Sequence, residues 1–173
     1  MLKILLLFLF LFSCDKDLKN QGSSIVNYID NEITGSPLKI EISEDDKISI
    51  KIQSDTLYKY NNGNIIMFGG VYADLFDSKG IKSSVMHSDS AIIFNNSDSV
   101  KAFGNIEIES IKGSKLLTTE IVLYNDVKLV HSDKDVTFTS NKKDTLYGKG
   151  FWSNYDMSNS KILKPTGVIK NSK

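Results

Sequence analysis

From Ser36 onward, apolar and polar residues alternate with a period of two. Leu38, Ile40 and Ile42 are separated by Lys39 and Glu41, Ile48, Ile50 and Ile52 by Ser49 and Lys51, and Ile106 and Ile108 by Glu107. Successive side chains of an extended chain point to opposite faces, so this period predicts half-buried antiparallel strands. Further runs carry the signal at Ile65–Phe68, Val71–Phe76, Ile81–Met86, Ala91–Phe94, Val100–Phe103, Leu116–Glu120, Ile121–Tyr124, Val127–Val130, Val136–Thr139, Thr145–Tyr147 and Phe151–Asn154. Between them lie Asn61-Asn62-Gly63-Asn64, Asp77-Ser78-Lys79-Gly80, Asn95-Asn96-Ser97-Asp98, Lys112-Gly113, Asn125-Asp126 and Asn141-Lys142-Lys143-Asp144. These residues tolerate positive φ or close Asx turns, which predicts sequential hairpins. The best helical candidate, Ile25 to Ile33, is short and uncapped. The fold class is therefore all-β.

An internal repeat sharpens this. Met86-His87-Ser88-Asp89-Ser90-Ala91-Ile92-Ile93-Phe94 parallels Val130-His131-Ser132-Asp133-Lys134-Asp135-Val136-Thr137-Phe138 at an offset of 44, and Gly104 parallels Gly150 at 46. A weaker partial copy runs from Thr118 to Tyr124. Repeated short strands that zigzag predict a rolled antiparallel sheet, with apolar residues inside and open edges at its two ends.

The amino terminus reads differently. Lys3 precedes the unbroken apolar run Ile4–Phe12, whose nine residues would rise only about 14 Å as a helix, short of the roughly 20 residues a spanning helix needs. It reads as a signal peptide. Leu11-Phe12-Ser13-Cys14 resembles a bacterial lipobox, in which the thiol of Cys14 is acylated and becomes the first mature residue. Acyl chains contribute about 0.8 kcal/mol per buried methylene, so two or three anchor a protein without a spanning segment. The expected organisation is a leader over residues 1–13, an acylated cysteine and polar tether over 14–35, and a β domain over 36–170. Asp15 resembles the proteobacterial signal that keeps a lipoprotein in the inner membrane, which places the chain on the periplasmic face of that membrane.

Composition narrows the chemistry. The 173 residues are 40% hydrophobic and carry 21 basic and 21 acidic side chains. Every basic residue is Lys, so the planar fork that grips phosphate is missing, and zero net charge offers no field for a polyanion. Nucleic acid is not an expected partner. His-Ser-Asp at 87–89 and 131–133 contains the residue types of a hydrolase triad. Three consecutive strand residues alternate between faces, whereas a triad converges from separated positions, so the motif reads as structural and no residue is assigned a catalytic role. With no HxxxH, no CxxC and one cysteine, neither metal nor cofactor is expected. The glycines of Phe68-Gly69-Gly70-Val71 and Tyr147-Gly148-Lys149-Gly150-Phe151 lie inside strand patterns and mark bulges or close backbone approach. Trp152 reads equally well as core or as a stacking platform.

The ordered series Phe68-Gly69-Gly70-Val71-Tyr72-Ala73-Asp74, Ser88-Asp89-Ser90-Ala91, Phe103-Gly104-Asn105-Ile106-Glu107-Ile108, Gly113-Ser114-Lys115-Leu116, Val130-His131-Ser132-Asp133 and Tyr147-Gly148-Lys149-Gly150-Phe151-Trp152 resembles the LptC family of lipopolysaccharide-export proteins over residues 36–169. Tyr124 stands where many members carry Trp, and a lipobox replaces the uncleaved membrane helix of the proteobacterial form. The resemblance implies a twisted β-jellyroll of the LptA type. It further implies a non-enzymatic protein whose interior takes the acyl chains of lipid A from an inner-membrane ATP-binding-cassette transporter and hands them to an LptA-like periplasmic bridge by edge-to-edge strand joining. The residues expected to line that groove are Ile92, Phe94, Val100, Ala102, Ile106, Ile108, Leu116, Ile121, Leu123, Leu129, Val136 and Phe138. The competing reading is a structural lipoprotein with a filled core that binds partners through its edges alone, and a weaker one is a hydrolase using His87 or His131.

Overall fold

The computed structural model describes residues 29–97 and 99–170, with side chains from Pro37 onward. The leader, Cys14, Asp15 and the tether up to residue 28 lie outside the described residues. Eleven strands follow in order: β1 (Ile29–Glu44), β2 (Lys47–Tyr60), β3 (Ile65–Phe68), β4 (Val71–Phe76), β5 (Lys82–Ser88), β6 (Ser90–Ile93), β7 (Ser99–Ser110), β8 (Lys115–Tyr124), β9 (Leu129–Thr139), β10 (Thr145–Asn154) and β11 (Ser160–Ile169). All pair antiparallel in one sheet, and the described residues contain no helix.

The pairing is simpler than the strand count. β4 and then β3 lie along one edge of β2, with Gly69-Gly70 between them, and β5 and β6 continue one line across Asp89. β7 receives both, pairing β5 through Glu107–Ser110 and β6 through Val100–Phe103. The chain is thus a meander of long strands, several of them interrupted near mid-length. The interruptions fall on one line across the sheet: ladder registers shift between Thr34 and Leu38, between Phe103 and Ile106, between Leu117 and Val122, and between Lys149 and Phe151.

That line is a crease. Residues from both sides of it, such as Ile108 and Leu123, join one apolar cluster with 0% exposure, which one sheet achieves only by folding over on itself. Phe138, on one side of the crease, meets Phe151, on the other, with ring centroids 5.4 Å apart. The result is a β-jellyroll whose two leaves face each other.

Short polar side chains hold the crease where the ladder lapses. Ser54 Oγ donates to the Thr56 carbonyl at 3.1 Å and Ser88 Oγ to that of Ser90 at 3.2 Å, while Ser132 Oγ donates to the Glu120 carbonyl at 2.7 Å. Thr118 Oγ1 donates to the Asp135 carbonyl at 2.9 Å. A glycine on the next strand admits the aspartate that follows two of these serines. A Cβ on Gly69 (φ 82°) would stand 2.9 Å from Cβ of Asp55, and one on Gly104 (φ 72°) would run into the Asp89 carboxylate. Ser88-Asp89 of the first His-Ser-Asp copy therefore builds the fold, as does a further pair, Ser54-Asp55, while the second copy contributes Ser132.

Two segments depart from the sequence expectation. β1 begins at Ile29 and pairs with β2 from Ile29↔Tyr60 through Thr34↔Thr56, so residues 29–35, expected in the tether, belong to the sheet. The described part of the helical candidate, Ile29–Ile33, is strand for the same reason: β2 offers it a free ladder that local propensity cannot match. β11 was not predicted as a strand. It is an exposed edge interrupted by Pro165, and an edge need not bury either face fully.

Candidate functional site

The interior between the leaves is the one place where most candidate residues converge. Val100, Ala102, Ile106, Ile108, Leu116, Ile121, Leu123, Val136 and Phe138 all point inward, none more than 6% exposed. Ile92, Phe94 and Leu129 stand elsewhere. The bulge at Asp89 changes the inward parity: Ser84, Met86 and Ser88 are buried before it, and Ala91 after it, with Ile93 packed on the core. Ile92 thereby falls on the outer face, and Phe94 sits half-buried in the turn beyond β6. Leu129 is half-buried beside inward Val130, so alternation turns it outward as well.

The sequence reading missed other interior residues. Ile50, Ile52, Met67, Leu75 and Met86 line the amino-terminal half, and Phe151, Tyr155 and Met157 the carboxy-terminal half. Period two marked Ile50 and Ile52 as well as it marked Ile108; Tyr155 and Met157 lie in a turn, where no period exists. Toward the ends of the sheet the interior is less covered. Leu38, Ile40 and Ile42 on β1 and Ile162 on β11 are partly buried against the core. Among the described residues, β1 pairs only with β2 and β11 only with β10, so each leaves one edge unpaired.

Opposite the crease the free margins of the two leaves meet and form a mouth. The segment Tyr155–Asn159, joining β10 to β11, crosses it. Ser84 Oγ on β5 donates to the Tyr155 carbonyl at 2.7 Å, and Lys112, in the β7–β8 turn, meets Asp156 at 2.6 Å. Nearer β1, Asn125 Nδ2 donates to Glu44 at 3.1 Å and Lys128 Nζ lies 3.8 Å from the same carboxylate. Burial works to raise the Asp156 carboxyl, but the Lys112 ammonium and the amide and hydroxyl of Ser158 outweigh it and hold it below the usual range. Burial also pushes the Tyr155 phenol far up, helped by the charges of Asp126 and Glu44, so it stays protonated and donates to the Tyr124 carbonyl at 3.1 Å. A cleft of about 440 Å³ lined by Glu44, Asp77, Asp126, Tyr155 and Asp156 runs along this margin.

Neither His-Ser-Asp copy brings its three side chains together. Ser88 and Ser132 spend their hydroxyls on crease carbonyls. His87 packs edge-on to Tyr72 with centroids 5.0 Å apart, whereas His131 stacks on Trp152 at 3.9 Å with its Nε2 3.1 Å from Asp133. Trp152 is neither core nor bare platform: it lies half-buried between His131 and Tyr124, the latter with centroids 5.9 Å away. Among the described residues no three His, Cys, Asp or Glu side chains are grouped to hold a metal ion.

A creased antiparallel meander with a continuous apolar interior and terminal edges unpaired among the described residues defines a β-jellyroll. The chain belongs to the LptC family: the family model described as lipopolysaccharide-assembly, LptC-related, matches residues 2–165. Members are transport and bridge proteins of the periplasm, associated with the inner membrane, that work in lipopolysaccharide transport with the Lpt machinery. No curated protein matches the chain significantly.

Proposed function

We propose that this protein is a lipid conduit that receives the acyl chains of lipid A from an inner-membrane ATP-binding-cassette transporter and passes them to an LptA-like periplasmic bridge. The observation that carries this reading is the apolar interior, which runs from Leu38, Ile40 and Ile42 on β1 to Ile162 on β11, with a free strand edge beside each end. Acyl chains need only apolar area, about 25 cal/mol per Å² buried, and a free edge accepts a partner strand through main-chain hydrogen bonds. Acylation of Cys14 would hold the module at the periplasmic face of the inner membrane, and labelled fatty acid lost in Cys14→Ser tests that anchor.

The filled core favours a second reading, a lipoprotein that assembles through its edges and carries no lipid. Photocrosslinking in cells separates the two. A probe at inward Ile162 is expected to yield a lipopolysaccharide adduct, and one at outward Lys161 none. No adduct at either site, in a folded and membrane-attached protein, would leave edge assembly as the function.

A further inference from the structure

We propose that Tyr155–Asn159 is a lid over the acyl-chain groove, which lifts from one leaf to admit lipid and remains attached to the other; this rests on the conduit reading above. The interior described here has no unfilled length: its residues from β2 to β10 are almost entirely without exposure. An acyl chain can enter only if something leaves, and the segment bridging the mouth is built to do so.

Its attachments are unequal. On the side of β10 it is held by structure that would survive opening. The Tyr155 amide donates to the Lys128 carbonyl at 3.0 Å, the Met157 amide to that of Asn154 at 3.0 Å, and the Asn159 amide to Asn154 Oδ1 at 3.0 Å. Asp156 Oδ1 accepts from the Ser158 amide, and Ser160 Oγ donates to the Met157 carbonyl. The segment is thus a self-bonded unit on its own leaf. Toward the facing leaf it makes two polar contacts among the described residues, from Ser84 to the Tyr155 carbonyl and from Lys112 to Asp156. The rest of its hold is the burial of Tyr155 (1% exposed) and Met157 (3% exposed) in the apolar interior.

That apolar seat is what an acyl chain can replace. A hydrocarbon entering beneath the segment replaces the apolar contacts of Tyr155 and Met157 in kind, so what opening must break once lipid is present is the two polar contacts to the facing leaf. The closed mouth is also imperfectly satisfied: Asn125 is 3% exposed, and its Oδ1 is buried without a hydrogen-bond partner. Met157 carries φ 56°, a conformation that non-glycine residues rarely keep without surrounding contacts.

The test pins the segment in the folded, full-length protein in cells. A Lys112→Cys/Asp156→Cys variant carrying the photoprobe at Ile162 is bridged by a short bismaleimide, bridging is verified by mass, and lipopolysaccharide adducts are compared before and after. Lys112→Cys alone, treated alike, controls for the reagent. The lid predicts normal adduct before bridging and at least a tenfold loss after it. Equal adduct in bridged and unbridged protein would overturn the lid and leave the conduit standing. No adduct even before bridging, where the protein without the cysteines gives none either, would overturn the conduit and the lid with it.

Discussion

The crease and the mouth close the same interior from opposite sides, yet they are made differently. At the crease each strand is covalently continuous, and hydroxyls one or a few residues from the lapse in the ladder bond the freed carbonyls, as Ser54, Ser88 and Ser132 do. At the mouth the leaves meet through side chains distant in sequence, and Lys112 is 55% exposed. One is a hinge that cannot come apart without unfolding, and the other is a seam that can. If the interior admits an acyl chain as proposed, this asymmetry lets the protein hold its shape while it does so.

Substitutions at the two places should therefore differ in size and kind. Gly104→Val is expected to be the most damaging. It places a branched side chain at φ 72° against the Asp89 carboxylate, and left-handed strain with overpacking should cost about 2–5 kcal/mol in a urea unfolding curve. Ser132→Ala removes the donor to Glu120 and the acceptor of the Lys134 amide. Leaving these partly buried backbone groups unpaired should cost about 1 kcal/mol or somewhat more by the same measurement. Asp156→Asn, at the seam, should cost at most about 1 kcal/mol, since its partner is solvated, while the amides of 155–159 exchange hydrogen measurably faster. A loss as large as that of Ser132→Ala would erase the distinction between hinge and seam.

The smallest effect is in pH. The native Asp156 carboxyl lies below its ordinary range, so its contribution is present above the unfolded value near 4 and lost as pH falls through the depressed native one. Wild type and Asp156→Asn should thus differ in stability at pH 7 and converge in strong acid. The difference between wild type and Gly104→Val, in contrast, should persist there. A seam difference that survives acid would mean that packing, rather than charge, sets it.

Much of this architecture was legible in the sequence, and the exceptions share a cause. Period two found the strands, and the Asn, Asp and Gly clusters found the turns, because both are local signals. The crease was seen only in pieces. Each bulge that changes parity, as between Ser88 and Ala91 or between Thr118 and Ile121, cuts one long strand into two short patterns, and three interior candidates beside such breaks or turns, Ile92, Phe94 and Leu129, stand off the inward face. A signal was present nonetheless. Ser54-Asp55 and Ser88-Asp89 are each followed 14 or 15 residues later by the positive-φ glycine that receives them, Gly69 and Gly104. The mouth was not legible, since Tyr155 and Met157 are buried by partners that no local pattern names.

The meander has a kinetic consequence. Each long strand pairs with the one before it, so a chain delivered amino terminus first through a membrane finds the template for every new strand already in place, and the sheet can grow as fast as it arrives. The seam contacts are the exceptions to this locality: Glu44 waits for Asn125 across 81 residues, and Ser84 for Tyr155 across 71. Closure of the mouth is then the last event of folding, and the sheet passes through an open form on the way to its first closed one.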